Sequence, residues 1–175
     1  SLADVFVNDA FGSHQAHAST QGIPSKLPSY AGKLLQDEIN KLYELILIKD
    51  SERPFISCVA GAKIDTKIGA LSSLRDLSDK VLVGGIPLNA VLCAKFKVKI
   101  NGITQEETEV AQKLIEQDKD QNKLLIPTKV IASEKEYSKE NPVKDAFKEI
   151  EITESMAGQD IGYVYDVSPE YFKDP

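Results

Sequence analysis

The chain has 175 residues, of which 42% are hydrophobic, and its 27 acidic and 21 basic residues give a net charge of −6. This length and apolar content are enough for one domain with a substantial core. The acidic balance disfavours nucleic acid and anionic membranes as partners, and no apolar run has membrane-spanning length, so we expect a cytoplasmic protein that binds neither.

The first 50 residues predict a strand, a loop and a long helix. A short strand at residues 5–7 is followed by a loop rich in glycine, proline and small polar residues. From Ser29 to Lys49, apolar residues recur at intervals of three and four, which is the pattern of an amphipathic helix. Nothing precedes the first strand for it to pair with.

After Pro54, the chain alternates between predicted strands and predicted helices. Strands are expected at residues 53–62, 80–85 and 122–133, and helices at 67–79, 88–96 and 104–118. Alternation of this kind favours an α/β fold with a Rossmann-like parallel sheet between layers of helices. Three strands are fewer than such a sheet normally has, so the sheet is expected to be incomplete.

Two further features of the sequence are a strand-like segment near its carboxyl end and two cysteines. Residues 147–155 alternate between apolar and charged side chains, which predicts an edge or hairpin strand with one face in water. Cys58 and Cys93 lie in apolar runs without the spacing of metal ligands, which predicts two buried free thiols.

Lys63 and Lys67 follow a predicted buried strand and are separated by one helical turn. Ligands bind beyond the carboxyl ends of the strands in open parallel sheets, where a lysine can reach a phosphate. Lysine pairs with this spacing are also common on solvated helix faces, and cations are mildly unfavourable at a helix N-terminus. The spacing alone therefore leaves both interpretations open.

Six short motifs occur in a characteristic order. They are "DVFVNDAFGSHQAHAST" at residues 4–20, "LPSYAG" at 27–32, "AGAKIDTKI" at 60–68, "VLVGG" at 81–85, "LLIP" at 124–127 and "DIG" at 160–162. In order and approximate spacing, these motifs resemble phosphoglycerate kinase. The resemblance extends over most of the chain and is far more specific than any single motif.

The resemblance implies the middle part of a two-domain enzyme with a hinged cleft. Residues 1–28 would be the end of the amino-terminal substrate-binding domain, residues 29–50 the interdomain helix, and residues 51–175 the first half of the nucleotide-binding domain. The implied glycolytic reaction transfers a phosphoryl group between 1,3-bisphosphoglycerate and ADP, giving 3-phosphoglycerate and ATP, with Mg²⁺ on the nucleotide. The family also implies a monomer, and the isolated chain is expected to be inactive.

The resemblance also implies roles for individual residues. Lys63 matches the lysine that contacts the transferring phosphoryl group, and His14, Gln15 and His17 match the substrate-binding loop. The implied nucleotide-binding positions are Gly61, Ala62, Lys67, Gly84, Gly85, Asp160 and Gly162. No residue is assigned to a metal.

Several motif positions depart from the family pattern. Gln15 replaces an arginine that normally binds the substrate's phosphate, and a neutral amide cannot make that bidentate contact. Ala60 replaces a glycine and Thr66 an aspartate. Ile86 and Pro87 follow the two glycines where the family has a further glycine and a methionine, and Lys129 occupies a usually acidic position.

Three interpretations therefore remain open at the level of sequence. The chain could be part of a divergent phosphoglycerate kinase, which is the interpretation that we favour. It could be a degenerate, non-catalytic relative that binds nucleotide or docks on proteins through the charged helix of residues 104–120. It could also be an α/β domain that binds nothing, with that helix as a solvated face.

Overall fold

The computed structural model describes residues 3–13, 15–62, 68–137 and 146–173, with only the backbone described for residues 68–70. The chain divides into two compact units, Ser1–Arg53 and Pro54–Pro175. None of the helices in the described ranges combines the length and the apolar character required to cross a membrane.

The first unit pairs two short strands before its main helix begins. Strand β1 (Phe6–Asn8) lies parallel to β2 (Ser29–Ala31), and α1 spans Lys33–Ile46. The predicted helix start at Ser29 is therefore wrong, because residues 29–31 take part in a strand ladder. Asp9 Oδ1 accepts a hydrogen bond from Leu35 N–H at 3.1 Å, which satisfies a backbone donor in the first turn of α1.

The apolar positions of α1 are largely exposed within the described residues. Leu34 is 64% exposed, Leu42 47% and Ile46 55%, and no residue of the helix is buried. The amphipathic pattern predicted the helix itself correctly.

The second unit contains a parallel sheet of three strands in the order β3-β4-β5, formed by β3 (Ile56–Val59), β4 (Lys80–Val83) and β5 (Leu124–Leu125). Helix α2 (Ile68–Leu77) connects β3 to β4, and α3 (Gly85–Phe96) and α4 (Gln105–Asp118) connect β4 to β5. The predicted α/β class with a short parallel sheet is confirmed.

The predicted strand at residues 122–133 is in fact two strands in two different sheets. The chain leaves the parallel sheet after β5 and passes through the buried Pro127. It then forms β6 (Lys129–Ser133), the central strand of an antiparallel sheet with β7 (Lys148–Glu151) and β8 (Tyr163–Val167). Proline lacks the N–H that a continuous ladder requires, which accounts for the break. The edge strand predicted at residues 147–155 is confirmed as β7, and β8 was missed.

Helix α3 is the centre of the core. Nearly all of its side chains from Leu88 to Phe96 are buried, with Lys95 as the exposed exception. A helix that is apolar all round must be covered on every side. Cys93 is one of these buried residues, whereas Cys58 is exposed, so the prediction of two buried thiols is wrong for Cys58.

Candidate functional site

The carboxyl ends of β3 and β4 lie side by side, because Val59 pairs with Val83 in parallel register. Ala60, Gly61 and Ala62 follow β3, and Gly84 and Gly85 follow β4. Two glycine-containing segments therefore emerge at one edge of the sheet, where open α/β sheets bind ligands.

The two segments are joined directly through their backbones. Gly84 N–H donates to Val59 O at 2.9 Å, and Ile86 N–H donates to Gly61 O at 3.0 Å. Gly85 has a φ of 60°, and a Cβ atom at this position would lie 2.7 Å from Gly61 O and 2.9 Å from Gly61 N. The approach is so close that residue 85 has no room for a side chain. We call this contact the glycine junction.

The N-terminus of α3 offers few hydrogen-bond donors to a ligand. Gly84 is its N-cap and supplies no side chain, the Ile86 N–H is already used by Gly61, and Pro87 has no N–H. A helix N-terminus attracts anions through its free N–H groups and its dipole. Because two donors of the first turn are lost, phosphate binding here would depend more on the loop after β3.

Lys63 and Lys67 lie outside the described residues, as do Thr66 and His14. Their roles therefore remain predictions. The structure does describe the positions that flank the lysine pair, with Gly61 in the glycine junction and α2 starting at Ile68.

The loop that contains Asp160 and Gly162 lies along α3. Gly158 N–H donates to the O atom of Lys97, the residue directly after α3. Val164 O accepts a hydrogen bond from the side chain of Asn89, which lies in the first half of α3. At 1.5 Å per residue, α3 is about 18 Å long. Asp160 and Gly162 therefore lie beside the body of α3. Asp160 forms a β-bridge with Lys99, and Gly162 O accepts the Asn101 N–H, so within the described residues both pair with the segment that follows α3.

Within that loop, Asp160 and Gly162 have clear local functions. Asp160 Oδ1 accepts the Gly162 N–H at 2.8 Å, which closes a tight turn. Gly162 has a φ of 79°, and a Cβ atom there would lie 2.4 Å from Ser133 O. Both residues thus hold the loop against the end of β6.

An open cavity of about 420 Å³ borders this loop. It is lined by both apolar and polar side chains. The lining residues include Ala132, Lys135, Ile150, Met156, Gln159 and Ile161. This combination of apolar side chains and a few polar groups is typical of small-molecule sites.

The residues between Gly12 and Thr20, which we call the histidine-containing loop, line a cavity of about 460 Å³ in the first unit. Gln15 and His17 are among the lining residues. His17 Nδ1 accepts a hydrogen bond from the Ser19 backbone N–H at 3.3 Å, and the His17 backbone N–H donates to Thr20 Oγ1 at 2.9 Å. The imidazole therefore caps the short helix Ala18–Gly22. Gln15 is exposed and lines the same cavity as His17.

Asn89 was not predicted from the sequence to have a functional role. Only 4% of its surface is exposed. Its Nδ2 donates to Val164 O at 3.0 Å and so fixes β8 against α3. The available signal was an amide within an otherwise apolar helical run, since a buried polar side chain requires a partner.

Burial raises the pKa of the Cys93 thiol, which makes it a poor nucleophile. The described residues contain no group of three or more His, Cys, Asp or Glu side chains that could hold a metal ion.

Comparison with known proteins shows what the chain resembles. The family model described as phosphoglycerate kinase matches residues 1–167. The chain is 36% identical over 165 residues to phosphoglycerate kinase from Enterococcus faecalis, and 37% identical over 166 residues to that from Fervidobacterium nodosum. Each alignment covers 93% of this chain and 40% of the relative, so the chain spans less than half of their length.

Solved structures agree with these relatives. Phosphoglycerate kinase from Coxiella burnetii superposes with a TM-score of 0.77 at 30% identity, over 95% of this chain and 41% of that structure. The Pyrococcus horikoshii enzyme has the same fold, with a TM-score of 0.63 at 22% identity, over 97% of this chain and 42% of that structure. The chain belongs to the phosphoglycerate kinase family.

Proposed function

We propose that this chain is part of a phosphoglycerate kinase, which transfers a phosphoryl group reversibly between 1,3-bisphosphoglycerate and ADP to give 3-phosphoglycerate and ATP. The observation that carries the proposal is the extent of the family match over residues 1–167, which includes both the histidine-containing loop and the glycine junction. The relatives named above are all kinases, which favours this interpretation over a degenerate, non-catalytic one.

In this proposal the glycine junction positions the nucleotide phosphates. Gly61 and Gly85 bring two backbone segments together at the edge of the sheet, and Lys63 and Lys67 belong to the segment that continues from Gly61. Phosphoryl transfer depends mainly on positioning and on neutralisation of charge, for which lysines are suited. Lys63 would contact the transferring group, and Lys67 the nucleotide phosphates.

The nucleoside would extend from Gly84 and Gly85 along α3 towards Asp160 and Gly162. The apolar side chains that line the cavity beside that loop, among them Ile150, Met156 and Ile161, are suited to contact a base. Because the Asp160 carboxylate already accepts the Gly162 N–H, its role would be to hold the loop. Magnesium would arrive on the nucleotide phosphates.

The substrate side is weaker in this chain than in the family. Gln15 lines the cavity of the histidine-containing loop but carries no charge, so it cannot replace an arginine opposite a phosphate. His17 could contribute only its Nε2 atom, because Nδ1 is engaged with Ser19. We therefore propose weak phosphoglycerate binding by this loop, and Gln15→Arg should strengthen it.

Calorimetric titration with magnesium-ADP tests the proposal. The wild-type chain should bind, and Lys63→Ala/Lys67→Ala should lose at least tenfold in affinity, because two phosphate contacts are removed. A matched control, Lys113→Ala/Lys119→Ala, removes the same charge at exposed positions on α4 and directly after it, and should bind like the wild type. Equal losses in both double variants would show a general charge effect and contradict the proposed site.

A further inference from the structure

The antiparallel sheet β7-β6-β8 has one face packed on the core and one face in water. Val130 and Ala132 are buried on the inner face. Three of their cross-strand neighbours are partly buried there: Ile150, Val164 and Val167. The outer face is set by register, because Ile131 of β6 lies opposite Glu149 of β7 and Asp166 of β8. Residues directly opposite each other share a face.

Aromatic side chains cover one end of the outer face. Tyr165 contacts Phe147 with ring centroids 5.3 Å apart at an interplanar angle of 88°, and Tyr163 with centroids 6.3 Å apart at 27°. Tyr137 N–H donates to the Tyr165 hydroxyl at 2.5 Å. Tyr137, Phe147 and Tyr165 are 37–45% exposed. The rings are thus held by one another and remain accessible from solvent.

Carboxylates occupy the rest of the same face. Glu149, Glu151 and Asp166 are exposed, and Lys129, opposite Glu151, is the one basic residue that the described strands place on this face. Glu149 is also ordered, because its Oε2 accepts a hydrogen bond from the buried Ser168 hydroxyl. We call this surface, formed by the four aromatic residues and the three carboxylates, the acidic–aromatic face.

We propose that the acidic–aromatic face binds an extended, arginine-rich segment of a partner protein. A guanidinium group stacks on aromatic rings and also pairs with carboxylates through two parallel hydrogen bonds, so one residue type matches both halves of the surface. The excess of carboxylates on this face is complementary to such a segment and repels nucleic acid and anionic lipid. The strands are four and five residues long, enough for a partner segment of similar length.

This interface is independent of the proposed nucleotide site. The residues of the acidic–aromatic face lie on the outer side of the sheet, whereas the cavity beside Asp160 is lined by inner-face residues such as Ala132 and Ile150. Failure of one proposal therefore leaves the other standing.

The test uses the 175-residue chain and a fluorescein-labelled heptapeptide of alternating arginine and glycine, followed by fluorescence anisotropy. The wild type should bind this peptide and should not bind the same peptide with glutamine in place of arginine. Glu151→Gln/Asp166→Asn should weaken binding about fivefold, since two charge contacts are removed. Phe147→Leu keeps the apolar contact but removes a ring, and should weaken binding about threefold.

The control is Glu106→Gln/Glu109→Gln, which makes the same change in net charge on exposed positions of α4. The proposal requires this variant to bind within twofold of the wild type. No binding of the arginine peptide, or an equal loss in the α4 variant, would overturn it. Sedimentation velocity tests whether a second copy of the chain binds the face instead. A dimer that is abolished by Glu151→Gln/Asp166→Asn would assign the face to that second copy and overturn the proposal.

Discussion

Gly85→Ala should destabilise the second unit through two separable effects. The residue has a φ of 60°, in the left-handed region, which costs an alanine about 1 kcal/mol. Its Cβ would also lie 2.7 Å from Gly61 O and 2.9 Å from Gly61 N. Forcing atoms into a packed site costs typically about 1–3 kcal/mol, so the total loss in free energy of unfolding should be about 3 kcal/mol.

Two other glycines separate these effects. Gly102 has a φ of 83° with nothing within 4 Å of its Cβ position, so Gly102→Ala tests backbone strain alone and should cost about 1 kcal/mol. Gly84 has a φ of −137°, and its Cβ would lie 3.2 Å from Ala60 Cβ, so Gly84→Ala tests a mild contact alone. That variant should change stability by less than about 1 kcal/mol.

Urea unfolding followed by circular dichroism measures all three variants under the same conditions. The expected order of destabilisation is Gly85→Ala, then Gly102→Ala, then Gly84→Ala. If Gly85→Ala cost no more than Gly102→Ala, the close backbone approach between Gly61 and Gly85 would not exist, and the glycine junction would have to be abandoned.

Two further predictions concern buried polar groups. Asp118 is 6% exposed and accepts the backbone N–H groups of Lys123 at 3.1 Å and Leu124 at 2.9 Å, so Asp118→Ala should lower the free energy of unfolding by about 2–3 kcal/mol, with a smaller loss for Asp118→Asn. Chemical denaturation at pH 7 checks this, and equal losses for both substitutions would contradict the role of the carboxylate. Because burial raises the pKa of Cys93 while Cys58 is exposed, a disulfide reagent at pH 8 should label the two thiols in two phases, and Cys58→Ser should remove the fast phase. The raised pKa of Cys93 means that the folded state holds the thiol proton more tightly than the unfolded state does. The resulting contribution to stability is present below the ordinary thiol pKa of about 9 and is lost as the pH rises above that value. An unchanged pH dependence of stability in Cys93→Ala would refute this.

Local patterns predicted the helices well because helical periodicity is a signal within a single segment of the sequence. The spacing of apolar residues in α1 and the charged pattern of α4 are local signals, and both helices formed. Helix α3 was predicted from its continuous apolar run and is buried, as such runs require. The order of the motifs carried the family assignment, which no single motif could support.

The misplaced strands depend on partners far away in sequence. Residues 29–31 look like the start of a helix, but they pair with β1, more than twenty residues earlier. Residues 122–133 look like one apolar strand, but Pro127 ends its backbone ladder and sends β6 to a second sheet. Strand β8 is held by β6 and by the Asn89 amide, neither of which the local sequence reveals.

For the candidate site, the sequence predicted which residues contribute but not their geometry. It placed Gly61 and Gly85 at one sheet edge, which the structure confirms. The sequence did not show that Gly61 O accepts a hydrogen bond from the Ile86 N–H. It also did not show that Asp160 lies along α3 and away from the glycine junction. These features arise from packing between segments.

Nuclear magnetic resonance of the ¹⁵N-labelled chain, titrated with magnesium-ADP, shows directly whether the glycine junction binds nucleotide. The amide resonances of Gly61, Gly84 and Gly85 should move first and furthest, with smaller changes at Asp160 and Gly162. The Gly102 amide, at an exposed turn after α3, should stay in place and serves as the internal control. Shifts confined to residues outside the glycine junction and the Asp160 loop, or no shifts at saturating nucleotide, would contradict a nucleotide site at the carboxyl edge of this sheet.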